Sequence, residues 1–220
     1  MNSLLLTGGR VVDPANQFDS LADVLILNGK ISAVGKNLSA PAGVETFDAK
    51  GKIVCPGLID LHVHFREPGQ TAKENIATGT AAAARGGFTS VVCMPNTSPA
   101  IDSAGTVALI RERAEREGVV NVFVSGAITK GIAGEELAPI GGLKKAGVVA
   151  ITDDGHCVQN NDLMRRACEY AKMFDLTLFD HCQDYSLVTD GVMHEGYWHV
   201  ALGLRGWPAA GEEMIVARNI

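Results

Sequence analysis

The sequence predicts an α/β fold: a small β-domain over residues 1–54, then strand–helix units of the (β/α)₈ TIM-type barrel over residues 55–220. Three observations carry this expectation. Apolar runs alternate with helical stretches from Cys55 onward, the pattern of βαβ units and a parallel sheet. Polar, chemistry-bearing residues recur where those apolar runs end, which is where such barrels keep their sites. Before Cys55 the pattern is different, with short apolar runs separated by tight turns.

In the first segment, strands are expected over residues 3–7 and 10–13, with a turn at Gly8-Gly9, and over 22–27 and 30–34. The Asn28-Gly29 pair between the last two is a strong hairpin signal. Nothing in this segment carries chemistry, and its residues are read as packing. The second segment opens with a buried-type apolar strand ending at His64. Its further strands are expected over 89–94, 119–124, 148–152 and 176–181. Helices are expected over 71–85, 103–117, 135–146, 161–174 and 208–220. That makes about five of the eight units, and of the typical ~250 residues, that closure of such a barrel takes. The count leaves three readings: a fragment, a sheet completed by another chain, or an open sheet.

The 220 residues are 46% hydrophobic and 20% charged, with a formal net charge of -6 and no basic run, which argues against a nucleic-acid partner. No stretch approaches the ~20 apolar residues of a membrane span, and the start lacks the basic region of a signal peptide. The five cysteines, Cys55, Cys93, Cys157, Cys168 and Cys182, are scattered without C-x-x-C spacing. They read as reduced thiols of a cytoplasmic protein.

His62 and His64 are separated by one residue at a strand end, so both imidazoles project to the same side. Two imidazoles on one face are half of a metal site for a zinc-like ion. Asn96 follows the second strand in Met94-Pro95-Asn96-Thr97. Asp153-Asp154-Gly155 follows the fourth, and Asp180-His181-Cys182 the fifth. Any one of these could be a turn former or a core histidine. Four polar strand ends out of five favour a shared metal site.

The stretch Pro56-Gly57-Leu58-Ile59-Asp60-Leu61-His62-Val63-His64-Phe65-Arg66-Glu67-Pro68-Gly69 resembles the metal-binding signature of the cyclic amidohydrolases, and in particular of type I bacterial dihydroorotases. MPNT, TDDG with the following Val158-Gln159, and His181-Cys182 with Asp184 are similar to that family's later motifs. So are His194-Glu195-Gly196 and the GLRGWP run ending at Pro208. The resemblance implies an amidohydrolase barrel with one or two Zn²⁺ ions held by His62, His64, Asp154 and His181. It implies that Arg66 and Asn96 hold a substrate carboxylate. Asp153 is the less favoured ligand, because adjacent side chains diverge, though both carboxylates are candidates.

The implied reaction is reversible hydrolysis of dihydroorotate to carbamoyl aspartate, a step of pyrimidine synthesis. A homo-oligomer is implied, with aspartate transcarbamoylase as a candidate partner. Two features depart from the pattern. Asp180 and Gln183 stand where the family usually shows AHCED, and the family's later histidine and its acid/base aspartate would fall beyond Ile220. His194 and His199 are not read as their substitutes. The 220 residues alone are therefore expected not to turn over dihydroorotate at an enzyme-like rate. The nearest rival is a hydantoinase or allantoinase, whose relatives bridge their metals with a carboxylated lysine on the fourth strand. The segment Gly147–Gly155 has no lysine; Lys144 and Lys145 precede it. A non-catalytic subunit assembling with aspartate transcarbamoylase is the rival of a different class.

Overall fold

The computed structural model describes residues 3–220, and the chain divides into two compact units at Gly57/Leu58.

The first unit is one five-stranded sheet. Strand β1 (Leu4–Asp13) pairs antiparallel with β2 (Phe18–Leu27), which pairs antiparallel with β3 (Lys30–Gly35). On its other side β1 runs parallel to β4 (Glu45–Asp48) and then to the two-residue β5 (Ile53–Val54). Val11, Ala22 and Val24 form its small core, with Phe18, Ile26 and Val54 packed against them. The β2–β3 turn has Asn28 and Gly29 at φ 53° and 76°, the left-handed pair that a two-residue hairpin demands.

At Gly8-Gly9 the expected turn does not form, and β1 runs through it. A register shift between Leu6 and Gly9 absorbs the extra length. Gly8 sits at φ 70°, and its N–H turns to Asp23 Oδ1 at 2.8 Å instead of joining the ladder.

The second unit is a curled parallel sheet in the order β10-β9-β8-β7-β6, each strand beside its neighbour in sequence. Its elements are β6 (Leu58–Val63), α1 (Ile76–Arg85), β7 (Phe88–Cys93), α2 (Ala104–Glu117), β8 (Asn121–Gly126), α3 (Ile140–Ala146), β9 (Ala150–Thr152), α4 (Asn161–Met173) and β10 (Thr177–Phe179). After β10 come α5 (Tyr185–Val188), a ribbon of β11 (Met193–His194) and β12 (Gly206–Trp207) flanking α6 (Tyr197–Leu202), and α7 (Ala210–Asn219).

Val91, Val124 and Ile151 from three adjacent strands are buried against Ile76, Val107, Ile110, Ile140, Leu143 and Ala167 from the helices. The β-branched residues lie on the sheet and the helices cover them, as a parallel sheet requires. The helix starts follow their caps. Asn75 Oδ1 accepts from Thr78 N–H at 2.9 Å, so α1 begins five residues later than expected. Pro139 occupies the N-cap of α3, and Gly134 (φ 74°) and the bridge between Thr129 and Leu137 keep the preceding residues out of the helix.

Strand β6 departs from its buried-strand pattern. Only β7 pairs with it among the described residues, and Ile59 and Leu61 are 61% and 58% exposed. An edge position leaves an apolar strand open to solvent whatever its sequence.

Candidate metal centre

Three strand ends bring their side chains together. His62 is the penultimate residue of β6 and His64 lies just beyond it; their rings meet edge to face, with centroids 5.1 Å apart. Asp154 follows β9 with its carboxylate nearly enclosed, 9% exposed. Its Oδ1 lies 3.1 Å from His62 Nε2 and its Oδ2 lies 3.5 Å from His64 Nε2. One donor atom from each of the three lies within 4.8 Å of the others, the one such group of His, Cys, Asp and Glu among the described residues.

Asn96, in the loop after β7, completes the arrangement. Its Nδ2 donates to Asp154 Oδ2 at 2.8 Å, and its Oδ1 lies 3.0 Å from His64 Nδ1. A carboxylate only accepts, so the amide must present its NH₂ to Asp154 and its carbonyl to His64. The carbonyl in turn requires a proton on Nδ1. With Nδ1 committed to Asn96, Nε2 is the ring nitrogen turned toward Asp154 and the one open to a metal. Two imidazoles and a carboxylate suit a borderline divalent ion, and the chemistry of this donor set fits a metal.

The neighbouring aspartate faces elsewhere. Asp153 is buried, and its Oδ1 accepts from the N–H groups of Ile128 (2.7 Å) and Thr129 (3.0 Å), while Oδ2 takes the Thr129 hydroxyl. Burial pushes its pKa up against the opposing pull of the Thr129 hydrogen bond. It ties the loop after β8 to β9 and contributes no atom to the His62–His64–Asp154 group.

Arg66 holds a left-handed backbone at φ 56°. Its guanidinium makes no hydrogen bond or ion pair among the described residues, leaving a half-buried cation free for an anionic group. The loop that carries it is anchored by the next residue. Glu67 is buried, accepts from Ile76 N–H at 3.0 Å and pairs with Arg113 of α2. Gly69, at φ 91°, lies where any Cβ would collide with the Ser98 carbonyl in the loop after β7.

His181 is not brought into the group. Its ring is exposed, with Nε2 3.0 Å from Gln183 Oε1, beside an open cleft of about 440 Å³ that His194 also lines. Asp180 turns away into a buried pair with Arg218 of α7. The roles of Glu67, Asp153 and Arg218 carry no signal in the sequence, since each acts on a segment distant in the chain.

Residues 51–220 match the family model described as dihydro-orotase-like. The chain belongs to the dihydro-orotase-like family. It is 51% identical over 218 residues to a curated relative named dihydroorotase from Geobacter metallireducens, covering 99% of this chain and 51% of the relative. A second, from Solibacter usitatus, is 54% identical over 217 residues, with 99% and 50% covered. The chain thus spans about half the length of the dihydroorotases it matches. In fold it is similar to an L-hydantoinase from Arthrobacter aurescens, at TM-score 0.81, 19% identity and coverage of 100% of this chain and 50% of that one. A D-hydantoinase from Thermus sp. gives TM-score 0.69 at 27% identity over 84% of this chain and 41% of that one. These neighbours establish the amidohydrolase barrel architecture, of which the curled sheet here is a part.

Within this family frame, β9 consists of Ala150, Ile151 and Thr152 and bears no lysine. Lys144 ends on α3, where its Nζ donates to Asp175 O at 3.3 Å. No helix of the described residues is long and apolar enough to cross a membrane.

Proposed function

We propose that the chain is the metal-binding part of a zinc-dependent dihydroorotase, which opens the dihydroorotate ring to carbamoyl aspartate and closes it again. The observation that carries this reading is the convergence of His62, His64 and Asp154 without a lysine on β9, in a chain about half identical to proteins named dihydroorotase. Zn²⁺, as one ion or two, would be held by His62, His64 and Asp154, with His181 reaching a second. When bound, it supplies Lewis acidity at the scissile carbonyl and makes hydroxide available near neutral pH.

The chain's own residues do the rest. Asp154 accepts from Asn96 and keeps both oxygens near the imidazoles. Arg66 supplies an unpaired planar fork for the substrate's carboxylate, which fixes the ring against the metal centre. Asn96 has one amide already spanning His64 and Asp154. Its contact with the substrate carboxylate therefore requires that span to loosen, or the carboxylate to bind from its free side. Protonation of the leaving nitrogen needs a positioned acid, and none of the residues in this group is free to serve. A homo-oligomer, and association with aspartate transcarbamoylase, belong to the same proposal.

The experiment compares carbamoyl aspartate with hydantoin as ligands of the zinc-loaded protein by calorimetry, and follows dihydroorotate loss by its ultraviolet absorbance. That loss should stay below an enzyme-like rate, because no residue of the group is free to protonate the leaving nitrogen. Carbamoyl aspartate should bind more tightly. Arg66→Ala should weaken it by about 2–5 kcal/mol, the usual loss when one partner of a buried charge pair is removed, with metal content unchanged. Preference for hydantoin, or an Arg66→Ala protein with unaltered binding, contradicts the proposal.

A further inference from the structure

The loops after β9 and β10, which carry Asp154 and His181, are stitched together by side chains that are not members of the His62–His64–Asp154 group. Tyr185 Oη accepts from Cys157 N–H at 2.8 Å. Gln159 Nε2 donates to Gln183 O at 2.9 Å, and Gln159 Oε1 accepts from Tyr185 N–H at 3.0 Å. The buried element of the seam is Arg218, in the last turn of α7. Its Nη1 donates to Val158 O at 2.6 Å and its Nη2 to Asp180 Oδ2 at 2.9 Å. Asn219 Nδ2 donates to the same Asp180 oxygen at 2.6 Å.

The side chains of Asp180 and Arg218 are 5% and 15% exposed. The other Asp180 oxygen, Oδ1, is buried with no hydrogen-bond partner. A carboxylate so poorly served on one side depends on the single guanidinium for its charge balance, and a buried charge that loses its partner is strongly destabilising. Val158 lies four residues after Asp154, and Asp180 immediately precedes His181. One guanidinium therefore holds the roots of both loops. Strand β10 ends at Phe179 and Asp180 directly precedes His181, so holding Asp180 against α7 limits how the His181 loop can move.

We propose that Asp180 and Arg218 are positioning residues for the metal centre: the pair fixes the His181 loop against the Asp154 loop and sets how tightly a His181-dependent ion is held. This rests on the metal centre proposed above and goes beyond it, because Asp180 is a departure from the family motif and α7 contributes no ligand.

The test titrates Zn²⁺ against a chromophoric chelator, and records the visible spectrum with Co²⁺, for the unaltered protein and for five variants. Those variants are H62A/H64A, H181A, D180N, R218M and R218K, with thermal unfolding measured for each. The H181A variant defines the His181-dependent component. R218M and D180N should weaken that same component by about tenfold or more, the usual reach of residues that orient a ligand. They should also shift the Co²⁺ spectrum toward that of H181A. R218K, which keeps the charge but replaces the planar fork that serves Val158 and Asp180 from two nitrogens, should fall between. If R218M does not fold, R218K and D180N carry the comparison. A merely structural pair would lower the unfolding temperature and leave affinity and spectrum as they were; that result overturns the proposal. So does an H181A protein that binds like the unaltered one. Metal retained in H62A/H64A would instead overturn the metal centre itself.

Discussion

The carboxamide of Asn96 donates to Asp154 across 2.8 Å, joining the loop after β7 to the loop after β9. Its other end accepts from His64, so a single amide holds both the rotamer of a carboxylate and the orientation of an imidazole ring. Replacing Asn96 with Ala should lower metal affinity about 10–100-fold, the range found when a ligand's orienting partner is lost. Asn96→Asp should do worse, because a second carboxylate beside Asp154 removes the donor and adds repulsion. Metal titration of the two variants checks this; a variant pair that binds metal normally would confine Asn96 to substrate contact.

Asp153 should matter to the fold more than to the metal. Its three acceptor contacts close the Ile128–Thr129 turn over β9. Asp153→Ala strands two backbone N–H groups in a buried site, each worth about 1–3 kcal/mol when unsatisfied. Denaturant unfolding of the metal-free protein should show a loss of that order. The Asp154→Ala protein should unfold close to the unaltered one and fail in metal binding. An Asp153→Ala protein of normal stability would refute the division of labour between the two aspartates.

The sequence alone shows why that division is hard to read. TDDG places two carboxylates side by side, and strand alternation says only that they diverge, without saying which one faces the histidines. The order of five strands and their helices was legible, because the shift from period two to helical period is a local signal. So was the Asn28-Gly29 hairpin. The exposure of Ile59 and Leu61 was not, since an edge strand and a central strand can share one apolar pattern. Nor was the partner of Asp180, the residue before His181, since Arg218 lies 38 residues away along the chain. The Gly8-Gly9 pair reads as a turn, yet pairing on both sides of β1 holds the strand through it.

Thiol chemistry follows burial. Cys93 lies within the core, where burial pushes its pKa up to about 12. Cys55 and Cys168 are exposed. Iodoacetamide at pH 8 should label Cys55 and Cys168 first and leave Cys93 unmodified until the protein unfolds. The native state retains the Cys93 proton at pH values where the unfolded chain has lost it. Stability from this group is therefore complete below about pH 9 and is lost as pH rises toward 12. A Cys93→Ala protein should lack that share of the alkaline decline. Rapid native labelling of Cys93, read by peptide mass spectrometry, would contradict its placement.

The central claim is that His62, His64 and Asp154 form one metal centre. Its most direct test is metal content, measured by plasma emission after loading with zinc and removal of free ion. The His62→Ala/His64→Ala protein should lose most of its zinc and Asp154→Asn should bind weakly. Lys144→Ala, altered on α3 where its amine reaches only Asp175 O, should retain the full amount. Full zinc content in the double histidine variant would contradict the account.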